Sequence, residues 1–515
     1  LTPSQQALWL LARGTSDAGA YNVRAAWRLD GALDTGALAR ALDALVVRHA
    51  ALRTNFSSAN GEPVQRVRES GSAEFSFVDL ARVEASDRER ETQRRLHEFG
   101  CRVFDLSADT LLRALVLRLD DRSHVMLVVS HHIVVDGSSV GILMRDLSSL
   151  YGAYANDREA TLPPVPIEFV DFVAWQRERV ARDRLEALRT FWQAELSGAS
   201  ATLALPVDRA AGSAPSFAGA HHVVSFSPSL LAALRALARR QNVTLFSILF
   251  ASYATLLHRY TAQNDIVIGV PVEGRDHPDL ESVVGYFAST LPVRARFSGD
   301  PTFAETSART HATILAALEH QDYPSDLLRR ELGDAPGDGA LATAFMFAPA
   351  TSAVAKFGTL SAEPLSFETG SSKFDLTLSL GEVPGGLRAS FEYRTDLFEP
   401  ATIARFANHL ETLLEAIVAA PHERVSALNI LPHAERQRLL VEWNATAAPL
   451  QPNATLDALF GEQVARSPDA VAVEDESTSL TYAELDARAD AVARRLLERG
   501  VRNGELVGII AERSV

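Results

Sequence analysis

The chain holds one cysteine, Cys101, in 515 residues. A single thiol cannot build an internal disulfide framework, so a reducing, cytoplasmic compartment is expected, with Cys101 read as a small buried apolar side chain. No uninterrupted apolar run reaches about 18 residues, so neither a membrane span nor a membrane partner is expected. Basic residues are outnumbered, 50 Lys+Arg against 65 Asp+Glu for a formal net charge of -15, which argues against nucleic acid as a partner. The opening LTPSQQALW lacks an initiator methionine and the basic and apolar regions of a signal peptide, while the closing AERSV stops inside an apparently ordered stretch. Both ends read as cuts in something longer. The Asn-x-Thr triplets at Asn242, Asn444 and Asn453 read as chance matches in such a chain.

Length predicts two to four domains or lobes. The most informative stretch is Val125 to Gly141, VMLVVSHHIVVDGSSVG. Val125 to Val129 is apolar and β-branched and reads as a buried strand, whereas Val140, Leu143, Leu147, Leu150, Tyr151 and Tyr154 recur at helical spacing. The polar cluster therefore sits on a strand-to-helix turn. Alternation along the backbone sends His131 and His132 to opposite faces, so one is expected to be chemical and the other structural. Gly137 suits a tight turn, where its amide could approach a bound carbonyl. A pair of satisfied core histidines beside a turn-forming Asp-Gly is the plainer reading. Zinc is disfavoured, since the spacing fits neither the paired-histidine helix nor a Cys/His finger. Gly137 to Gly141 also fits G-x-S-x-G, which would make Ser139 the nucleophile of a hydrolase. The intervening His-His-x-x-x-Asp, however, keeps the apolar run away from Gly137.

Along the rest of the chain, Asp34 and Thr35 offer caps for a helix using Leu38, Leu42, Leu45 and Val46. Ala114 to Asp120 reads as a strand paired with the histidine strand. Phe169 to Gln176 leads into a charged helix ending near Glu195, and Ala199 to Ala218, rich in Ala, Pro, Ser and Gly, marks a boundary between halves. Ser227-Pro228 starts a helix, Thr244 to Tyr260 is an all-round apolar one, and Pro400 to Val418 is amphipathic. Asp265 to Val272, Leu376 to Leu380 and Leu387 to Tyr393 read as strands. Pro432 to Pro452 reads as a linker. Beyond it lie a helix from about Thr455, a strand near Ala470 to Glu474 and a long helix ending near Gly500. Strands and helices without regular alternation point to an α+β class.

The order of these segments is more specific than any one of them. Ser4 to Trp9 (SQQALW), Arg48 to Phe56 (RHAALRTNF), His131 to Gly137 (HHIVVDG), Phe169 to Gln176 (FVDFVAWQ), Ile268 to Pro292 (IGVPVEGRDHPDLESVVGYFASTLP) and His320 to Pro324 (HQDYP) together resemble the condensation domain of nonribosomal peptide synthetases. Leu480 to Leu485, LTYAEL, resembles the first motif of an adenylation domain. The resemblance implies two chloramphenicol-acetyltransferase-like lobes in a V-shaped pseudo-dimer, residues 1–180 and 181–431, then a linker, 432–455, and a partial adenylation domain, 456–515. It implies an amide-forming acyltransferase: the amine of one carrier-bound aminoacyl thioester attacks a donor acyl or peptidyl thioester in a tunnel between the lobes. Partners would be upstream and downstream carrier proteins and the adenylation domain in cis. The domain would bind no cofactor of its own, its substrates riding on phosphopantetheine.

By the same resemblance His132 is the reacting imidazole, as base or as positioner, and Gly137 offers its N–H to the oxyanion. His131 supports, and Asp136 pairs structurally with Arg275. Three departures stand out: Ser138 where tryptophan is common, Ala288-Ser289 for the usual Val-Asn, and no final arginine-rich motif between Gly333 and Phe347. Two histidines disfavour heterocyclisation, and a downstream adenylation start favours condensation over epimerisation. A starter domain using acyl-CoA, a domain taking a polyketide chain, a noncatalytic recruiter and the Ser139 hydrolase are the alternatives.

Overall fold

The computed structural model describes residues 1–14, 18–179, 182–199, 202–210, 216–275, 277–324, 327–328, 341–348, 356–365, 367, 370–448, 455–475 and 477–511. Contacts divide the chain into a unit spanning Leu1–Pro432 and a second spanning His433–Val515.

The first unit carries two six-stranded mixed sheets among the described residues. One runs Lys356–Phe357, Leu360–Leu365, Asn22–Asp30, Ser123–His131, Leu112–Arg118, Glu74–Asp79, and the other Gly219–Phe226, Gly386–Arg394, Leu376–Val383, Thr343–Ala348, Asp265–Val272, Ser289–Arg296. The architecture is the expected α+β, and no sequence repeat betrays the doubled sheet. Ser123–His131 is central and buried from His124 onward, with antiparallel neighbours on both sides, which explains its unbroken apolar run. Late in the chain, Leu360–Leu365 returns to the first sheet and pairs antiparallel with Asn22–Asp30, Ala26 facing Leu365 and Asp30 facing Ser361.

Local rules account for the helices. Asp34 accepts from the Ala37 N–H at 2.9 Å and opens Thr35–Arg48. Ser227 accepts from Leu230 at 3.2 Å ahead of Pro228. Leu245–Thr261 is buried without a break from Ser247 to Leu257, as its apolar circumference requires. Each sheet has its own apolar core, Leu42, Leu127 and Tyr151 in one and Phe250, Phe345 and Phe391 in the other. A third, small cluster of Phe169, Phe172, Val173, Leu280, Val283 and Phe287 lies beside the site.

In the second unit, helices Leu456–Arg466 and Tyr482–Glu498 flank the paired strands Val471–Glu474 and Ser479–Thr481, with Thr481 and Glu484 forming a capping box. One expectation, the linker, gains local structure, and another, Cys101, needs correction. The stretch read as linker begins with the helical turns His433–Gln437 and Arg438–Glu442, because its prolines flank a run of good helix formers and do not interrupt it; residues 449–454 lie outside the described residues. Cys101 is half-buried at the end of a helix, its Sγ 3.8 Å from Nε2 of His97. Among the described residues no helix is long and apolar enough to cross a membrane.

Candidate active site

The histidine strand ends at His131 and a helix begins at Gly137, with Asp136 as its cap. The two imidazoles part as alternation requires. His131 is buried, edge-on to Phe104, and its Nδ1 accepts from the Ile133 N–H at 3.1 Å. His132 is half-buried and meets the Tyr286 ring edge to face at 4.9 Å between centroids. Its backbone N–H donates to the Tyr21 carbonyl at 2.9 Å. Its Nδ1 lies 2.8 Å from the Val135 carbonyl, which can only accept, so the proton sits on Nδ1 and the Nε2 lone pair is left free of any described partner. Burial, assisted by the positive charge of Lys373, brings the pKa of each ring down to about 3.

Asp136 is a junction. Arg275 grips it with two parallel bonds, 2.8 Å to Oδ2 and 2.9 Å to Oδ1, while the Phe287 N–H donates to Oδ2 at 3.1 Å and the Ser139 N–H to Oδ1 at 2.9 Å. Arg275 also donates to the Val283 carbonyl at 3.2 Å and lies over the Phe287 ring at 4.3 Å. Both partners are buried, so the pair fastens the helix bearing Gly137 to the 275–287 loop that follows Asp265–Val272 of the second sheet.

Ser139 belongs to this junction and is no nucleophile. Its hydroxyl is fully buried, 2.8 Å from Asp136 Oδ1 and 2.9 Å from the Gly285 carbonyl, and it accepts from the Gly285 N–H at 3.1 Å and from Arg275 at 3.0 Å. No lone pair is left to attack, and no substrate reaches it; the hydrolase reading is overturned. The G-x-S-x-G match arose because a serine three residues after an aspartate cap suits that cap as well as it suits a nucleophile.

Gly137 is exposed, and a Cβ built on it would meet nothing within 4 Å. Its φ is not positive, so the glycine is not needed for a tight turn; what it provides is open space beside the first, unpaired N–H of a helix. Ser138, next in the helix, is half-buried. Gln5 fixes the intervening loop by donating to the Ile133 carbonyl at 2.9 Å.

Sequence reasoning singled out neither Tyr286 nor Lys373. Tyr286 also borders a cavity of about 250 Å³, walled by Thr2, Phe172, Trp175, Phe287 and Tyr323 among others. Four of the six quoted motifs supply that wall. Among the described residues no group of three His, Cys, Asp or Glu could hold a metal ion. Asp276 and residues 329–340, part of the stretch where the final motif was sought, lie outside the described residues.

A condensation-domain model matches residues 1–440. The chain belongs to the condensation-domain family. An AMP-binding enzyme model matches residues 460–515, so the start of an adenylation domain follows the condensation domain in the same chain. Over 518 residues it is 36% identical to tyrocidine synthase 3 of Brevibacillus parabrevis, covering all of this chain and 8% of that protein. It is 36% identical over 521 residues to the chondramide synthase cmdD of Chondromyces crocatus, covering 13% of it. The condensation domain and its appended fragment thus span about a tenth of the length of such relatives. Among solved structures, the X-domain from teicoplanin biosynthesis is 28% identical with a TM-score of 0.76, covering 84% of this chain and 97% of that one. The four-domain nonribosomal peptide synthetase holo-AB3403 shares the fold over 98% of this chain and 39% of its own, with a TM-score of 0.81 at 21% identity.

Proposed function

We propose that this condensation domain joins a donor acyl or peptidyl thioester to the amine of a carrier-bound aminoacyl thioester, with His132 and Gly137 at the reacting centre. One observation carries the reading: the half-buried His132 ring has Nδ1 committed to the Val135 carbonyl and Nε2 free of any described partner. The amine donates a hydrogen bond to Nε2 and attacks the thioester carbon. The C–N bond forms, the carbonyl oxygen takes the electron pair against the Gly137 N–H, and the C–S bond then breaks, the amine proton leaving with the thiol. A ring with a pKa near 3 is a poor acceptor of a whole proton. An α-amine with a reference pKa of about 7.7 to 8.0 is already partly neutral at pH 7, so His132 acts chiefly by holding and orienting the amine. His131, Asp136, Ser138 and Arg275 shape and support this centre without touching the reacting atoms.

The partners in this reading are an upstream donor and a downstream acceptor carrier protein, each presenting its substrate on phosphopantetheine, with the adenylation domain in cis. The lobes are assigned as residues 1–180 and 181–431, the second lending strand Leu360–Leu365 to the first. The deciding experiment incubates a loaded acceptor carrier with a panel of loaded donors and reads amide by intact mass. His132→Ala, which removes the group that orients the amine, and Gly137→Leu, whose side chain fills the open space beside the N–H that the oxyanion must reach, should each lower the yield at least about 100-fold. Product from acyl-CoA alone would instead mark a starter domain. A second reading, a recruiter without chemistry, draws on a related X-domain having been solved in complex with OxyB; no amide from any carrier pair would favour it.

A further inference from the structure

The cavity of about 250 Å³ beside the reacting centre has five aromatic rings on its wall, those of Phe172, Trp175, Tyr286, Phe287 and Tyr323. They come from elements far apart in sequence: helix Phe169–Arg179, the loop ahead of strand Ser289–Arg296, and the turn after helix Phe303–Glu319. Phe172 and Phe287 pack at 4.6 Å between centroids, and Trp175 leans on Phe172 at 5.9 Å. Phe172, Phe287 and Tyr323 are buried whereas Trp175 is 39% exposed, so the wall runs from core to surface.

Size and chemistry restrict the occupant. An apolar cavity of about 150 Å³ takes up benzene, so this one has room for a substituted ring but not for a loaded pantetheine arm. No Lys, Arg or His stands among the described wall residues, and the one carboxylate there, Asp322, is paired with Arg184. An ion would enter without a counter-charge, whereas a ring would meet the faces and edges of other rings. Position then selects between the two reactants. Tyr286, on the cavity wall, also meets the His132 ring at 4.9 Å, while Gly137, which in the amide-forming reading faces the donor's carbonyl oxygen, is no part of that wall. The amine held at Nε2 belongs to the acceptor, whose side chain branches from the carbon that bears it. We propose that the cavity receives the side chain of the acceptor amino acid and selects an uncharged aromatic one, with Tyr286 as the wall common to this occupant and to His132. Ser289, one of the positions at which the chain departs from its motif, stands on the same wall, so its size limits what enters. The inference rests on the amide-forming reading and names the acceptor class for it.

The test holds the donor fixed and compares acceptor carriers loaded with phenylalanine and with alanine, at acceptor concentrations well below saturation. A second arm holds the acceptor fixed and varies the donor residue in the same way. The phenylalanyl acceptor should react about 10-fold faster or more, as burial of a ring in such a pocket allows. Ser289→Phe, which puts a ring of the chain's own into the cavity, should bring that ratio toward one by slowing the phenylalanyl acceptor and sparing the alanyl one. A ratio at or below one overturns the inference, as does a preference that Ser289→Phe leaves intact or one found in the donor arm alone. Should Ser289→Phe misfold, indole added to the unaltered protein decides: slowing of phenylalanyl but not of alanyl transfer upholds the inference, and slowing of both or of neither overturns it. Should no carrier pair yield amide, the amide-forming reading fails, and calorimetry decides the cavity. Tighter binding of phenylalanyl- than of alanyl-pantetheine, abolished by indole, upholds it; equal binding, or an advantage that indole leaves intact, overturns it.

Discussion

Arg275 and Asp136 are both buried, and each is the other's principal counter-charge. Removing one partner strands the other. Arg275→Ala or Asp136→Ala is expected to destabilise the fold by about 3 to 5 kcal/mol in urea denaturation, with activity falling alongside. The histidines give a pH signature. Their pKa of about 3 in the folded protein lies below the ordinary value of 6.5, so between those limits the unfolded chain binds more protons. Their stabilisation is complete above pH 6.5 and drains away as the pH falls toward 3. Imidazole NMR shifts of His131 and His132 should accordingly stay those of neutral rings at pH 5, and the rate of amide formation should show no inflection near 6.5.

Among the elements, the closest approach is at Gly285, where a Cβ would come within 2.0 Å of the Phe169 ring. Gly285→Ala should cost about 1 to 3 kcal/mol by overpacking, and Phe169→Leu in the same chain should restore part of it, both read by thermal melting. The helices Thr35–Arg48 and Gly137–Tyr154 are clamped by Asp146, 2.8 Å from Arg48 and 3.1 Å from His49. Burial works to raise the Asp146 pKa, but bonds from His49 and Arg48 outweigh it and hold the group at about 2.

These elements also mark what a sequence can disclose. Strand Asp265–Val272 and the capped helices were legible because period and caps are local properties. The parting of the His131 and His132 rings into different surroundings was legible for the same reason, since it needs only alternation. The Asp136–Arg275 pair spans 139 positions between two elements, so no periodicity reveals it and only resemblance pointed there. Ser139 was ambiguous because one short pattern serves two purposes. Tyr286 lay inside a quoted motif, but its packing on His132 is made by tertiary folding, which no local pattern records.

For the whole molecule, the division at Pro432 predicts separable stability. A chain ending at Pro432 should keep the main calorimetric transition of the full chain at the same temperature, since each unit buries its own contacts. A shift of several degrees would show that the units support one another.

The strand Leu360–Leu365 carries a consequence for biosynthesis. Asn22–Asp30 leaves the ribosome early but waits, with one row of backbone groups unsatisfied, for a neighbour translated more than 300 residues later. Until then the nascent chain offers an open edge to any other extended segment. Chaperone dependence during translation, and aggregation of pieces cut near residue 180, are the natural costs of building one half of a protein with a strand borrowed from the other.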